Sequence, residues 1–243
     1  MIKLYADGAD MVGIIDAAGD KTITGFTTNP TLMRQAGVTN YEEFAKNVIK
    51  FLARNRPETT LSLEVFADEP DEIRRQARII SDWGNEKNYQ VYVKIPVMYT
   101  SGEDTYDLIQ SLSYEGINLN VTAVFTEYQV SNIIDRLCPE VPSIISIFAG
   151  RIADAGEDPE AIVSRCVGLY DDIRNEGGKA EFLWASSREA YNIKHAEWSG
   201  CDIITMTPDL IKKVKGFGKD LTQFSKETCQ MFYNDAIKSG YTI

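Results

Sequence analysis

The chain has few of the residues that build metal or redox centres. It contains a single histidine, His195, and no C-x-x-C pair. A multi-histidine metal site and a zinc or dithiol motif are therefore excluded. We expect His195 to lie partly exposed in the middle of a helix. The four cysteines are expected to be packing residues: Cys138, Cys166, Cys201 and Cys229.

Long apolar runs and positive charge are also scarce. No stretch approaches transmembrane length, and Asp7 interrupts the N-terminus before a signal-peptide core could form. We therefore expect a cytoplasmic protein with reduced thiols and no membrane segment. With 25 Lys+Arg against 36 Asp+Glu, the net charge is −11, which argues against nucleic-acid or anionic-membrane partners. A small anion can still bind where local arginines outweigh the global charge.

Short β-branched runs alternate with amphipathic segments along the whole chain. The predicted strands are 2–6, 22–27, 60–65, 90–95, 117–122, 143–148, 180–184 and 202–206. The predicted helices between them are 40–54, 69–84, 102–115, 126–137, 158–175 and 187–199, with starts at Asp158-Pro159 and Ser186. Eight such units predict an α/β fold, a (β/α)₈ TIM barrel. An open doubly wound sheet is the alternative, but no G-x-G-x-x-G follows any strand.

No linker divides the chain, so we predict a single domain over 1–243. The segment 219–238 carries apolar residues at near-helical spacing, among them Leu221, Phe224, Met231 and Phe232. It predicts an additional C-terminal helix that either caps the barrel or packs on a neighbouring subunit. The spacing alone favours the cap.

Barrel enzymes place their sites where strands end, so the polar residues that end these strands are the candidates. They are Asp7, Thr27-Thr28-Asn29-Pro30, Glu64, Lys94, Asn120, Thr122, Ser146, Arg151, Ser186 and Arg188. If the barrel closes, these side chains converge on one mouth.

Lys94 is the most informative of them, within the strand VYVKIP at 91–96. Alternation places the three aliphatic residues on one face and Lys94 on the other, which predicts that Lys94 points into the barrel. Burial favours the free amine, the form that attacks a carbonyl to make a Schiff base. The alternative is a lysine that pairs with Glu64 or Asp7 and only fills the barrel.

Two carboxylates and two arginines complete the pattern. Asp7 is suited to moving a substrate hydroxyl proton, and the alternative is a helix-entry residue. Glu64 lies in an apolar strand, where an interior salt bridge is the alternative. Arg151 and Arg188 each follow a strand by a few residues, and Arg188 is expected to open a helix, so the pair predicts a phosphate monoester pocket. The alternative is a surface ion pair with Asp154 or Glu189.

Together these motifs resemble the transaldolase family, and they follow the family's order over nearly the whole chain. They are ADGAD at 6–10, TTNPTL at 27–32, LEV at 63–65, VKIPV at 93–97, NVT at 120–122, SIFAGR at 146–151 and ASSR at 185–188. The length is similar to the small-subunit branch. The one departure is Gly8-Ala9, where other branches show Thr with Ser or Gly, and we expect no change of chemistry from it.

The resemblance implies a class I Schiff-base enzyme that needs no cofactor and acts on sugar phosphates. By motif, Lys94 would attack the ketose carbonyl, Glu64 and Thr122 would position a proton-shuttling water, and Asp7 would take the C4 hydroxyl proton. Asn29, Asn120 and Ser146 would hold the dihydroxyacetone unit, and Arg151, Ser186 and Arg188 would bind the distal phosphate.

Three functions remain open. The first is transaldolase, transferring dihydroxyacetone from sedoheptulose 7-phosphate to glyceraldehyde 3-phosphate in the pentose phosphate pathway. The second is a fructose-6-phosphate aldolase that releases free dihydroxyacetone. In the aldolase branch the positions matching Glu64 and Phe148 look like Gln and Tyr, whereas this chain has Glu and Phe, which favours transaldolase. The third is an inactive sugar-phosphate-binding barrel. The family also implies a homo-oligomer, a pentamer or decamer, with 219–238 crossing onto a neighbour.

Overall fold

Eight parallel strands close into one barrel in the computed structural model, which describes residues 2–243. Each strand pairs with its neighbour in sequence, and the last pairs with the first. The strands are β1 Lys3–Asp7, β2 Ile23–Thr27, β3 Thr60–Glu64, β4 Val91–Pro96, β5 Leu119–Val124, β6 Ser143–Ile147, β7 Ala180–Trp184 and β8 Ile203–Met206. The predicted (β/α)₈ TIM barrel is confirmed.

Twelve helices lie in the part of the chain that the structure describes. They are α1 Met11–Ala18, α2 Pro30–Gln35, α3 Tyr41–Asn55, α4 Pro70–Asn85, α5 Tyr106–Tyr114, α6 Glu127–Ile134, α7 Ala149–Asp154, α8 Pro159–Gly168, α9 Asp171–Asn175, α10 Asn192–Trp198, α11 Pro208–Val214 and α12 Leu221–Ser239. The predicted C-terminal helix is present as α12. None of these helices is long and apolar enough to cross a membrane.

Strand alternation sorts side chains between two layers. In β4 the aliphatic residues Val91, Val93 and Ile95 belong to the core between barrel and helices, whereas Tyr92 packs inside the barrel. The interior cluster closes the barrel beneath the strand ends with Tyr5, Tyr92, Ile144, Leu183, Ala185 and Ile203. The prediction that Lys94 shares the inner face is confirmed, because its side chain lines the interior cavity.

Local capping explains where several helices begin. The Asp10 side chain accepts from Gly13 N at 2.9 Å and starts α1. Asp158 accepts from the backbone at the start of α8, as its Asp-Pro pair predicts. Asn29 begins α2 by accepting from Leu32 N at 3.0 Å, with Pro30 as the first helical residue. The helix after β2 therefore fixes Asn29 directly at the strand end.

Three predicted helices have different bounds. The helix predicted over 102–115 begins only at Tyr106, and the one over 158–175 breaks into α8 and α9. The helix predicted over 187–199 begins at Asn192, and Ser186 does not start it. Ser186 instead adopts a left-handed backbone with φ of 65°, which turns the chain after β7 away from helical geometry.

The capping position expected for 219–238 is wrong. No residue of α12 is buried, and its large side chains at Leu221, Phe224, Met231 and Phe232 are all exposed. A helix that closed the barrel would bury that face. Cys229 on α12 is exposed as well, so the packing role predicted for it is also wrong, whereas Cys166 and Cys201 are buried as expected. All four cysteines are free.

Candidate active site

A cavity of about 180 Å³ opens where the carboxyl ends of the strands meet. Ten of the eleven predicted site residues line it: Asp7, Asn29, Lys94, Asn120, Thr122, Ser146, Phe148, Arg151, Ser186 and Arg188. The eleventh, Glu64, does not line the cavity and lies against Lys94. Parallel register produces this convergence, since Glu64, Lys94 and Asn120 are lateral neighbours on β3, β4 and β5.

Lys94 is the buried amine of the site. Its Nζ donates to Glu64 Oε2 at 2.7 Å and to the backbone oxygen of Thr28 at 2.8 Å. The Lys94 side chain is 8% exposed and that of Glu64 15%. The pairing named as the structural alternative for Lys94 is therefore present. The pair lies beside the cavity, which the Lys94 side chain itself lines.

A hydrogen bond to its backbone carbonyl fixes the position of Glu64. Tyr41 Oη, at the start of α3, donates to the Glu64 carbonyl oxygen at 2.7 Å. Burial raises the pKa of the Tyr41 phenol, so this hydroxyl remains a donor. The end of β3 is thus fixed against α3, which keeps the Glu64 carboxylate beside the lysine.

Asp7 is the second carboxylate of the site. Burial raises the pKa of its carboxyl above the ordinary range for aspartate, against the opposing effects of the Lys94 charge and of a hydrogen bond from Thr27. Thr27 Oγ1 donates to Asp7 Oδ1 at 2.8 Å. A carboxylate with a raised pKa, next to a cavity, is equipped to take and return a proton. The helix start predicted as the alternative role for Asp7 is provided by Asp10 instead.

Asn120 is the centre of a buried polar chain across three strands. Its Nδ2 donates to Ser62 Oγ at 3.1 Å, and its Oδ1 accepts from Ser146 Oγ at 2.7 Å. All three side chains are buried. The network fixes the orientation of the Asn120 amide, so its remaining hydrogen-bonding capacity has a defined direction at the cavity wall.

Thr122 has a buried hydroxyl that makes no hydrogen bond to the residues described. It lies just before a bulge in β5, where the register with β6 shifts between Val121 and Val124. Ala123 takes the strain of the bulge with a left-handed φ of 59°. The bulge lets Thr122 face the cavity while Val124 returns to the outer core. The Thr122 hydroxyl is therefore available to water or substrate.

The two arginines occupy different settings. Arg151 is exposed, its guanidinium carbon lies 5.5 Å from the ring centroid of Phe148, and it forms no ion pair within residues 2–243. Arg188 forks onto the Asp154 carboxylate, with Nε at 3.1 and 3.2 Å from its two oxygens. The surface ion pair named as the alternative for Arg188 is thus present. Arg151 and Arg188 nevertheless both line the cavity.

Arg188 does not open a helix, contrary to the sequence prediction. α10 begins four residues later, at Asn192, whose side-chain Oδ1 accepts from the backbone N–H of Arg188 at 2.8 Å and of Glu189 at 3.1 Å. Those two N–H groups are occupied by Asn192, so they are not available to an anion. Any anion at this loop depends on the guanidinium groups rather than on a helix N-terminus.

Several cavity residues were not predicted as site residues. They are Leu183, Ala185, Ser187, Thr205 and Thr207. Thr205 was detectable, because it is the one polar residue of the strand Ile203–Met206. It alternates with aliphatic neighbours as Lys94 does in β4.

The arrangement combines three chemical capabilities. A buried amine with an adjacent proton acceptor can form an imine with a carbonyl, and the raised pKa of Asp7 suits it to proton transfer near that imine. Arg151 and Arg188 supply positive charge for an anionic group. Among the described residues no cluster of His, Cys, Asp or Glu is arranged to hold a metal ion.

Comparison with known proteins identifies relatives over most of the chain. The family model described as Transaldolase/Fructose-6-phosphate aldolase matches residues 4–242. A probable transaldolase of Dehalococcoides mccartyi is 29% identical over 84% of this chain and 86% of its own length. Probable transaldolase 2 of Listeria monocytogenes is 29% identical over 93% of this chain and 99% of its own. A probable transaldolase of Hyphomonas neptunium is 27% identical, with full coverage of both chains.

Proposed function

Because the chain belongs to the transaldolase/fructose-6-phosphate aldolase family, we propose that it is a transaldolase. It would transfer a dihydroxyacetone unit from sedoheptulose 7-phosphate to glyceraldehyde 3-phosphate, giving erythrose 4-phosphate and fructose 6-phosphate. The observation that carries this proposal is the buried Lys94 amine, shared by Glu64 and the Thr28 carbonyl, in a cavity that also holds Asp7 and two arginines.

The first step forms the Schiff base. Glu64 Oε2 accepts a proton from the Lys94 ammonium, and the free amine attacks the ketose C2 carbonyl. The hydroxyl of the resulting carbinolamine leaves as water after protonation, which yields the iminium ion. The unpartnered Thr122 hydroxyl supports a role for that residue in holding the water that carries these protons.

The second step breaks the C3–C4 bond. Asp7 takes the proton of the C4 hydroxyl, the C4 oxygen becomes the aldehyde of the departing aldose phosphate, and the bonding electron pair moves from C3 into the iminium to give an enamine. The iminium acts as the electron sink, so the carbanion is never free. Asn120 and Ser146, which are joined by a 2.7 Å hydrogen bond, would hold the hydroxyls of the three-carbon unit together with Asn29 at the end of β2.

The third step reverses this chemistry on a new acceptor. The enamine C3 attacks the aldehyde carbon of glyceraldehyde 3-phosphate, and Asp7 returns its proton to the new hydroxyl oxygen. Hydrolysis then releases the ketose and restores the Lys94 amine. Ser186, Arg151 and Arg188 line the cavity and would bind the phosphate of donor and acceptor in turn.

Borohydride trapping tests the mechanism. Borohydride reduction of the enzyme in the presence of fructose 6-phosphate should label Lys94 in a peptide map, with the mass of the reduced six-carbon ketose phosphate or of the three-carbon unit that remains after cleavage. Lys94→Met should abolish both the label and the transfer activity. A label on another lysine, no label, or activity that survives Lys94→Met would contradict the proposal. A wild-type protein that binds fructose 6-phosphate but shows neither label nor transfer would instead be a sugar-phosphate-binding barrel without this activity.

A coupled assay separates the two activities of the family. Glu64 and Phe148 favour a transaldolase, so transfer to glyceraldehyde 3-phosphate should far exceed the release of free dihydroxyacetone. Release without acceptor at a rate similar to transfer would identify an aldolase. We also propose that the protein is cytoplasmic, in keeping with its free cysteines. The exposed face of α12 would pack on a neighbouring copy in a pentamer or decamer.

A further inference from the structure

Thr205 links β8 to the proton-transferring carboxylate through a second hydroxyl. Ile203 packs inside the barrel, so alternation along β8 turns Thr205 inward as well, and its side chain lines the cavity. Thr205 Oγ1 and Thr27 Oγ1 are in hydrogen-bond contact, and Thr27 Oγ1 donates to Asp7 Oδ1 at 2.8 Å. Both threonines are buried. Three residues on three strands thus form one chain of hydrogen bonds.

The chemistry of the groups fixes the direction of this chain. An ionised carboxylate only accepts hydrogen bonds, and a hydroxyl has one hydrogen to donate. When Asp7 is ionised, the single hydroxyl hydrogen of Thr27 therefore points to Asp7, and Thr27 is the donor. Thr27 can then only accept from Thr205, so the Thr205 hydrogen must point to Thr27.

Protonation of Asp7 allows the chain to reverse. The carboxylic acid can donate to Thr27, Thr27 can then donate to Thr205, and the Thr205 hydrogen turns to the cavity. Every buried hydroxyl keeps a partner in both protonation states of Asp7. A carboxylate that takes a proton and returns it in each turnover needs both states to be stabilised.

The backbone of Thr205 is also fixed. Ser187 Oγ donates to the Thr205 carbonyl oxygen at 2.9 Å, which joins the loop after β7 to β8. The Thr205 side chain therefore has a defined position relative to Thr27, and its hydroxyl can donate to Thr27 Oγ1 while Thr27 donates to Asp7.

We propose that Thr205 is a positioning residue for proton transfer at Asp7: by donating to Thr27, it supports the hydrogen bond that Thr27 donates to the ionised carboxylate. The inference rests on the proposed function, in which Asp7 moves the C4 hydroxyl proton. Thr205 acts through Thr27 and not by contact with the reacting atoms.

Other charges near Asp7 set the background for a test. Lys94 on β4 favours the ionised carboxylate and Glu64 on β3 disfavours it, while burial raises the pKa of Asp7 above its ordinary range. Arg151 and Arg188 line the same cavity. Thr205→Val keeps all of these charges and nearly the same volume, so it removes only the hydroxyl. Without that donor the ionised state of Asp7 loses support, and the pKa of Asp7 should rise further.

The pKa of Asp7 can be measured without any activity assay. In protein labelled with ¹³C at aspartate carboxyl groups, the Asp7 resonance is the one that disappears in Asp7→Asn. We expect its titration midpoint to move upward by roughly 0.5 to 1 pH unit in Thr205→Val, the shift that loss of one supporting hydrogen bond produces. Thr205→Ser should restore the original midpoint, and Thr205→Ala should reproduce the shift if the valine variant folds poorly.

Kinetics give the second measurement. The acid limb of kcat/KM reports the essential base of the free enzyme, so it should move upward with the titration midpoint in Thr205→Val. In a Thr27→Val background the same substitution at Thr205 should add no further shift, because the connecting hydroxyl is already gone. Thr59→Val is the matched control: it removes a buried hydroxyl that bonds to the Arg56 carbonyl at 2.8 Å, outside the cavity, and should leave the profile unchanged.

The outcomes separate this inference from the proposed function. An unchanged Asp7 midpoint in both Thr205→Val and Thr205→Ala overturns the role of Thr205, even if Lys94 is labelled by borohydride. A raised KM with no shift of either measurement also overturns it, since that result indicates direct substrate contact. Failure to label Lys94 contradicts the proposed function, while the carboxyl titration still tests the coupling between Thr205 and Asp7.

Discussion

Gly150 lies directly against the backbone carbonyl of Ser186. A β-carbon at position 150 would fall far inside van der Waals contact with the Ser186 carbonyl oxygen. Gly150 N also donates to the Ala185 carbonyl oxygen at 3.3 Å. Helix α7, which carries Arg151, and the loop after β7, which carries Arg188, are therefore held together at a position where only glycine fits.

Substitution of Gly150 by alanine should separate α7 from the loop after β7. The obstructing atom belongs to the backbone, so it cannot move aside as a side chain would, and we expect a loss of about 1–3 kcal/mol in unfolding free energy. The KM for sugar phosphates should rise by roughly tenfold or more, because both arginines move, with a smaller effect on the rate of imine trapping at Lys94. Steady-state kinetics and thermal melts measure the two effects.

Gly168→Ala is the control for Gly150→Ala. Gly168 ends α8, is exposed, and has open space where a β-carbon would go. Alanine there should leave KM unchanged. Equal KM values for Gly150→Ala and the wild type would show that contact between α7 and the loop after β7 does not position the arginines.

Asn192 should fix the backbone of the loop that carries Arg188. Its Oδ1 is the acceptor for two backbone N–H groups, and its Nδ2 lies 3.3 Å from His195 Nδ1. Asn192→Ala leaves both N–H groups without this acceptor, so we expect a loss of about 1–3 kcal/mol in stability. We also expect a KM for sugar phosphates that is higher by roughly tenfold, because the loop that carries Arg188 loses its support.

Asn192→Asp distinguishes positioning from simple loss of packing. Aspartate keeps an oxygen acceptor for the N–H groups of Arg188 and Glu189, so it should recover most of the KM that alanine loses. Comparable KM values for the alanine and aspartate variants would indicate that the acceptor at position 192 does not determine phosphate binding.

Residue alternation explains why so much of the site could be predicted. Lys94 and its strand show a clear period of two, which identifies the inward face once eight strands are counted. The loops obey no such period. Ser186 takes a left-handed φ of 65°, and Asn192 caps the loop of Arg188 with its side chain, so the expected helix over 187–199 begins late. These conformations depend on contacts between segments that are distant in sequence, such as the contact of Gly150 with the Ser186 carbonyl.

The C-terminal helix shows a second limit of prediction from the sequence. Its apolar spacing predicted a helix correctly, but spacing cannot say whether the apolar face meets the barrel or another chain. The exposed face of α12 rules out the cap. The Thr27–Thr205 contact was missed for a related reason, since closure of β8 against β1 brings together residues 178 positions apart.

Asp7→Asn should increase stability at neutral pH while it abolishes transfer. Burial raises the pKa of Asp7 in the folded protein, so the folded state binds its proton more tightly than the unfolded state. Stability therefore falls as pH rises from the unfolded pKa, about 3.9, through the folded one. Asparagine does not ionise, so Asp7→Asn removes this loss of stability. The melting temperature of the variant should therefore exceed that of the wild type at neutral pH. The advantage should vanish below the unfolded pKa.

The same variant separates imine formation from bond cleavage. Asp7→Asn retains Lys94 and Glu64, so borohydride should still trap fructose 6-phosphate on Lys94 while dihydroxyacetone transfer is lost. Asp16→Asn, which changes an exposed carboxylate in α1, is the control for both measurements. A melting temperature for Asp7→Asn below that of the wild type at neutral pH would contradict the effect of burial on this carboxyl.

The exposed face of α12 should mediate self-association. Leu221, Phe224, Met231 and Phe232 recur at helical spacing, so they share one side of the helix, and each is at least half exposed. Introducing charge on that face, as Phe224→Glu with Phe232→Glu, should prevent its burial against a second copy. The mass measured by light scattering should then fall from that of an oligomer towards the 27.2 kDa of one chain.

Gln230→Glu provides the matched control for this prediction. Gln230 lies on the same helix but on the opposite side from Phe224 and Phe232, so the added charge should leave the oligomer intact. Because the cavity lies within one barrel, the dissociated Phe224→Glu, Phe232→Glu variant should still be labelled at Lys94 by borohydride. A wild-type particle of 27.2 kDa would show that this face is not covered by another copy. An oligomer that survives both phenylalanine substitutions would show that assembly uses a different surface.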